Sequence, residues 1–276
     1  MIVLYTFVVE GIFNTLFNRK PSPQIPEPDK SSERKVQSPL TSQDEKVLES
    51  RPKEESSILN GGINKTVYIT LKDDGSGIFK PKSGEMPMLR NEIEVGTYYK
   101  RERAAYLVDQ FLGFDLVPAT TIREFDGEEG SLQRFIHGAK IGQEMSREEF
   151  EVTAPQMQKM WIFDCIIANT DRHKANFLIA GEKIYAIDHG LALTNQMYSS
   201  YRPFFDTPGW EEVSEKIKSF LSWEEGVRIL ESLLLELLSL EEVSGVLRRI
   251  KKVDSLLREY GTIPKTLAHE LNLKTI

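Results

Sequence analysis

Asp171-Arg172-His173-Lys174-Ala175-Asn176, and then Ile187-Asp188-His189-Gly190-Leu191, are the stretches whose reading decides the fold of this chain. Between them lie two short strand-forming runs, Phe177–Ala180 and Lys183–Ile187, turned at Gly181. The result is two carboxylates and a side-chain amide flanking one small hairpin. Oxygen groups of this kind suit a hard divalent cation. An aspartate left over can orient or deprotonate an attacking hydroxyl. Immediately upstream, Gln156–Ala168 (QMQKMWIFDCIIA) reads as a buried helix that runs straight into Asn169.

Working outward, the chain from residue 61 to Ile136 is strand-rich. Thr66–Leu71 (TVYITL) and Gly77–Lys80 flank the turn cluster Asp73–Gly77 and predict a hairpin. Pro81 ends the second strand's capacity to donate. Residues 91–112 run helical, with Val95, Tyr98, Tyr99, Glu102 and Tyr106 on one side and Gly113 as a stop. Ala119–Phe125 and Ser131–Ile136 are two further strands joined by a turn at residues 126–130. Past Ile136 the pattern is mainly helical. Ser146/Glu149, Ser222/Glu225 and Ser239/Glu242 read as capping boxes, and residues 229–240 are leucine-rich. Strands followed by helices predict an α+β protein with two segregated lobes.

Four features then fall in one order. The pair Gly61-Gly62 precedes the hairpin, Lys80 sits on its second strand, Glu102 on the following helix, and Asp171, Asn176 and Asp188 around the later hairpin. Transfer of a γ-phosphoryl group requires such groups, because it depends on positioning and charge neutralisation. Taken singly, each has a plain structural reading: a turn glycine, a solvated strand lysine, an exposed helix glutamate, a polar loop. Their joint order carries the argument.

With these residues in view, the chain resembles the phosphatidylinositol 3- and 4-kinase family, above all its type II and plant gamma-type 4-kinase branch with their bacterial relatives. Asp171 to Asn176 has the D-x-x-x-x-N spacing of a kinase catalytic loop. Ile78-Phe79-Lys80-Pro81, the run Arg101-Glu102-Arg103-Ala104-Ala105-Tyr106-Leu107-Val108-Asp109, and Ser131-Leu132-Gln133-Arg134-Phe135 match segments of those relatives. The resemblance covers about residues 60–210. It implies a two-lobed protein-kinase-like fold (β-rich N-lobe, helical C-lobe), with ATP and magnesium as cofactors. Lys80 would pair with the phosphates and with Glu102, and Gly61 and Gly62 would cover the phosphates. Backbone groups near Arg134, Phe135 and Ile136 would bind adenine. Asp171 would be the catalytic aspartate, and Asn176 and Asp188 would hold magnesium. His173 would either help polarise the transferred group or stabilise the loop. His189 would be a structural residue.

The chain has no G-x-G-x-x-G and no H-R-D, which separates it from ordinary protein kinases. Leu191–Trp210, in the place of an activation loop, holds one basic residue, Arg202, against the several that often meet a phosphoinositide headgroup in lipid kinases. Its aromatic residues, Tyr198, Tyr201, Phe204, Phe205 and Trp210, are expected to pack into the helical lobe. The favoured acceptor is therefore a hydroxyl on a protein or small molecule. A phosphoinositide kinase, a nucleotide-binding scaffold without catalysis, and an AMP-transferase remain open.

Composition sets the outer bounds. The 276 residues carry 35 Lys and Arg against 42 Asp and Glu, a net charge of −7. That argues against nucleic-acid binding through a general basic field. The single cysteine, Cys165, excludes an intrachain disulfide and a multi-thiolate zinc site, and a cytoplasmic location fits. Residues 1–17 are apolar but shorter than a membrane span and lack a basic leader region. A packing arm or an over-extended start is favoured for them over membrane association. Residues 18–60, with six prolines and neither aromatic residues nor glycine, read as a disordered linker. The predicted division is an arm at 1–59, an N-lobe at 60–137 and a helical C-lobe at 138–276. Removing residues 1–57 is expected to leave a folded core.

Overall fold

The computed structural model describes residues 42–59, 63–87, 92–195 and 210–261. The expectations for residues 1–41, for Gly61 and Gly62, and for Tyr198, Tyr201, Phe204 and Phe205 lie outside the described residues.

The N-lobe is an antiparallel five-stranded sheet in the order β1-β2-β3-β5-β4. Its strands are β1 (Lys53–Leu59), β2 (Thr66–Leu71), β3 (Gly75–Pro81), β4 (Thr120–Phe125) and β5 (Glu128–Arg134). The turn after β2 is tight because Asp73 and Asp74 both adopt positive φ, which short polar side chains tolerate. Between β4 and β5 only Asp126 and Gly127 intervene, at φ 55° and 80°, the pairing a primed two-residue hairpin turn demands. β5 therefore begins at Glu128, three residues before the sequence pattern suggested.

The main correction lies at the start of the lobe. Helix α1 (Gln43–Ser50) and strand β1 occupy residues read as disordered linker. Ser42 caps α1 by accepting the Glu45 N–H, and Leu48 and Glu45 are buried beneath the helix. β1 (KEESSIL) is almost wholly exposed and shows no apolar alternation; backbone pairing to β2 holds it in the sheet. The sheet thus starts at Lys53, and Gly61-Gly62 fall in sequence between β1 and β2 rather than ahead of the first hairpin.

Helix α2 (Tyr98–Leu112) starts later than predicted and ends at Gly113, whose φ of 65° supplies the left-handed cap. It packs on β4 and β5 and, through its other side, on the helical lobe. There, β6 (Lys140–Ile141), β7 (Phe177–Ala180) and β8 (Lys183–Ala186) form a small antiparallel sheet. Helix α3 (Arg147–Ile166) opens on the Ser146/Glu149 capping box and continues through Pro155, so two predicted helical segments are one. Helices α4 (Glu211–Ser222), α5 (Glu224–Leu235) and α6 (Leu240–Tyr260) complete the described part of the lobe.

The Ser239/Glu242 capping box forms, but the Ser222/Glu225 one does not. Ser222 closes α4, donating to the Ser219 carbonyl, and Trp223 takes the N-cap of α5. The Trp223 ring lies where a side chain on Gly226 would be and stacks on Phe111 of α2. Trp210 is buried, as expected for it. Among the described residues no helix is long and apolar enough to cross a membrane.

Candidate active site

Lys80 projects from β3, opposite Ser131 of β5. Its Nζ lies 2.5 Å from Glu102 Oε1 on α2 and 3.0 Å from Asp188 Oδ1 beyond β8. One ammonium therefore joins the sheet, α2 and the hairpin of the helical lobe. Burial alone would lower the Lys80 pKa. The carboxylates of Asp188 and Glu102 outweigh that and hold it above the usual lysine range. Burial would likewise raise Glu102, but Lys80 and the hydrogen bonding from His189 pull its carboxyl far below the ordinary value. Asp188 has a φ of 62°, and about half of its side chain remains exposed beside Lys80. Gly190 abuts Tyr98, with room for a Cβ only at 3.0 Å from that residue's own Cβ.

The second oxygen of Glu102 accepts the backbone N–H of His189 at 3.0 Å. His189 is fully buried, edge-on to Phe163. Arg172 Nη2 sits 2.9 Å from His189 Nε2. A guanidinium only donates, so Nε2 accepts and the ring proton is on Nδ1, facing Glu102 Oε2 at 3.6 Å. Burial lowers the His189 pKa, which keeps the ring neutral. This is the structural role expected of it.

Arg172 organises the loop. Its Nη2 meets Asp164 Oδ1 at 3.0 Å with both side chains buried, and its Nη1 donates to the carbonyls of Ile187, at 2.7 Å, and of Asn176. Asp164 also accepts from Asn169, whose own amide oxygen takes the Asp171 N–H at 3.0 Å. Asn176 Nδ2 donates to the Asp171 carbonyl at 2.9 Å, and Ile187 N–H donates to the Asn176 carbonyl. Asp171 and Asn176 thus belong to one hydrogen-bonded unit, which reaches Asp188 through the backbone of its neighbour Ile187, while the Asp188 carboxylate itself meets Lys80. Asp164 and Asn169, which hold this loop together with Arg172, were not singled out by the sequence pattern. Asp164 left a signal, as an acidic residue inside the apolar run of α3. His173 is exposed, with Nδ1 accepting the Ala175 N–H at 3.2 Å, a bond that ties it to the loop.

The adenine-binding expectation narrows. The Arg134 N–H donates to Ala119 and the Phe135 N–H to Ser76, because β5 pairing runs on past Arg134. The Arg134 side chain is turned away to Asp44 of α1. Of the three residues, Ile136 is the one whose amide these strands leave unused. Behind this segment, Ser42, Tyr106, Arg134 and Lys183 line a hollow of about 410 Å³, in which Lys80, Asp171 and Asp188 take no part. A more apolar hollow of about 470 Å³ adjoins the catalytic-type loop, between Met145, Phe150, Met157 and Trp161 on one side and His173 and Lys174 on the other.

The donor set fits a magnesium ion. Asp188 offers an accessible carboxylate. Asn176 spends its amide nitrogen on Asp171 and keeps its amide oxygen for a ligand. Among the described residues no group of three His, Cys, Asp or Glu side chains forms a metal cage. A cation here would complete its shell with phosphate oxygens and water, as magnesium usually does.

A five-stranded sheet over a helical lobe, with a helix-borne glutamate on the sheet's lysine, defines a protein-kinase-like fold. The Golgi casein kinase crystal structure shares it, with a TM-score of 0.52 at 17% identity over 77% of this chain and 72% of that one. Residues 87–240 match the phosphatidylinositol 3- and 4-kinase family, and the chain belongs to that family. It is 27% identical to Protein Rv2133c of Mycobacterium tuberculosis over 42% of this chain and 53% of that one. It is 34% identical to phosphatidylinositol 4-kinase gamma 4 of Oryza sativa subsp. japonica, over 45% of this chain and 23% of the plant protein. The chain therefore spans about half of the mycobacterial relative and about a quarter of the plant one.

Proposed function

We propose that this protein is an ATP- and magnesium-dependent phosphotransferase that moves the γ-phosphate to a hydroxyl on a protein or small molecule. The observation that carries the reading is the bridge from Lys80 to both Glu102 and Asp188. A lysine held between a helix glutamate and a half-exposed aspartate is set to meet phosphate oxygens, with the aspartate beside it for their counter-ion.

Lys80 would neutralise the phosphates, and the backbone around Gly61 and Gly62 would cover them. Ile136 would meet the adenine. Asn176 and Asp188 would hold magnesium, which supplies charge neutralisation on the phosphates when bound. Asp171 would orient the acceptor hydroxyl and take its proton as that oxygen bonds to phosphorus and the ADP oxygen departs. The apolar hollow beside His173 and Lys174 would seat the acceptor's non-reacting part.

A phosphoinositide acceptor is the second reading, favoured by the plant relatives' names. The near absence of basic residues in Leu191–Trp210 weighs against it. Incubating the full chain with γ-labelled ATP and magnesium, alone, with lysate, and with phosphoinositide vesicles, tests both. Label in protein or a small molecule supports the first reading, and label in vesicle lipid supports the second. No transfer by the wild-type chain, with nucleotide bound, would sink both.

A further inference from the structure

Helix α2 carries a second charged side chain that the phosphate-handling groups do not use. Arg101, next to Glu102, is buried and directed into the helical lobe. Its Nη1 donates to the Ala192 carbonyl at 2.7 Å, and its Nη2 is paired with Glu242 Oε1. Its Nε has no hydrogen-bond partner among the described residues. Ala192 lies four positions beyond Asp188. Glu242 stands in the first turn of α6, where its other oxygen accepts the Ser239 N–H at 2.8 Å in the capping box. One carboxylate therefore fixes the start of α6 and grips the helix that carries Glu102.

The segment after Asp188 is held from the opposite side too. Leu193, at a φ of 65°, donates its N–H to the Ile167 carbonyl at 2.6 Å. Arg249 of α6 donates to Thr194 at 3.0 Å and to Ile166 at 2.6 Å. A side chain on Gly245 would come within 3.2 Å of Asn195 Cα. Ala192–Asn195 is thus clasped between α2 and α6, with an arginine from each helix on its carbonyls.

A buried arginine with one nitrogen unsatisfied is an expensive way to pack two helices, since an apolar side chain of similar volume would do so at less cost. What the guanidinium adds is direction, because its donors form a rigid fork. We propose that Arg101 is a positioning residue which, with Glu242, fastens α2 to α6. Glu102 is then already seated on Lys80 before any nucleotide arrives. The proposal rests on the phosphotransferase reading for its purpose, but not for its test.

The direct readout is amide hydrogen exchange at His189, whose N–H is held by Glu102 Oε2. In the full chain without nucleotide, Glu242→Gln is expected to speed that exchange at least tenfold, leaving the β7–β8 hairpin amides unchanged. Arg101→Lys is expected to do the same, because an ammonium cannot serve Ala192 and Glu242 with the same fork. Glu242→Asp serves as a second variant should Glu242→Gln fold poorly. His189 protection equal to wild type in these variants overturns the proposal, whatever the enzyme's activity. Where the wild type turns over ATP, Glu242→Gln should raise the KM for ATP about tenfold. The same change in a Glu102→Gln background should add nothing further. Fully multiplicative losses would show that Arg101 does not act through Glu102. A wild type silent toward every acceptor would count against the phosphotransferase reading alone.

Discussion

At the scale of single residues, the Lys80–Glu102–Asp188 triangle combines two opposed titrations. Glu102 is depressed, so its contribution to stability is present above the ordinary carboxylate range and is lost only as pH falls through its lowered folded value. Lys80 is raised, so its contribution is full below the usual lysine pKa and is lost as pH climbs through its folded value. The pair consequently stays ionised across the neutral range. Lys80→Met should destabilise the chain by about 3 kcal/mol at pH 7, because it strands a buried carboxylate. Adding Glu102→Gln should recover most of that stability while turnover stays at least tenfold down. Thermal melts and labelled-ATP turnover check both halves, and a double variant no more stable than Lys80→Met would contradict the argument. Asp188→Asn, at a half-exposed position whose φ of 62° asparagine also adopts, is expected to abolish magnesium-dependent turnover and shift the melting temperature little. A variant that still turns over ATP would remove Asp188 from the metal site.

At the scale of elements, the sequence was readable wherever side chains alternate or turn residues demand a conformation. β2, β3, the Gly113 stop, the Ser146 and Ser239 caps and the β7–β8 hairpin all lie close to where the pattern puts them. α1 and β1 were not read, for a physical reason. β1 buries almost no side-chain surface, so hydrophobic period carries no trace of it. α1 buries only one apolar side chain, Leu48, beside the charged Glu45, and its cue was Ser42 three residues before Glu45, hidden in a charged, proline-rich context. The helix is nonetheless tied to α2 and to the end of β5. Glu45 meets Arg103 at 2.5 Å and Tyr106 at 3.1 Å on α2, and Asp44 meets Arg134 beyond β5. The ion pairs of Arg172 with Asp164 and of Arg101 with Glu242 leave no periodic trace in the sequence, because a charge reads as solvated until the fold supplies the opposite one. The boundary for a stable truncation therefore moves from residue 57 to the start of α1. A chain beginning at residue 42 should melt close to full length, whereas one beginning at residue 58 should lose both elements and aggregate. Leu48→Ala should cost about 2–4 kcal/mol. A full-length melting temperature for the chain beginning at residue 58 would show that α1 and β1 are dispensable.

Over the whole molecule, the two lobes share one continuous hydrophobic core, and α2 is its centre, packed on the sheet and against α4 and α5. That arrangement leaves one feature of α5 chemically out of place. Glu231 is fully buried, and neither carboxylate oxygen has a hydrogen-bond partner among the described residues. Burial pushes its pKa up from 4.5 to about 7. Between those values the folded chain holds a proton that the unfolded chain has released, so stability declines as pH rises through the window and stays lower above it. Asp109 is also buried and pushed up to about 7, despite the backbone N–H groups of Leu116 and Val117, and it adds to the same slope. Glu231→Leu removes one of the two contributions and fills its space with apolar volume. The variant should match wild type at pH 5 and exceed it at pH 8 by up to roughly 3 kcal/mol, the equivalent of the Glu231 shift. Denaturant melts of both proteins at the two pH values decide the matter. Parallel declines would mean that Glu231 is ionised in the fold or solvated, and that the lobe's pH sensitivity lies elsewhere.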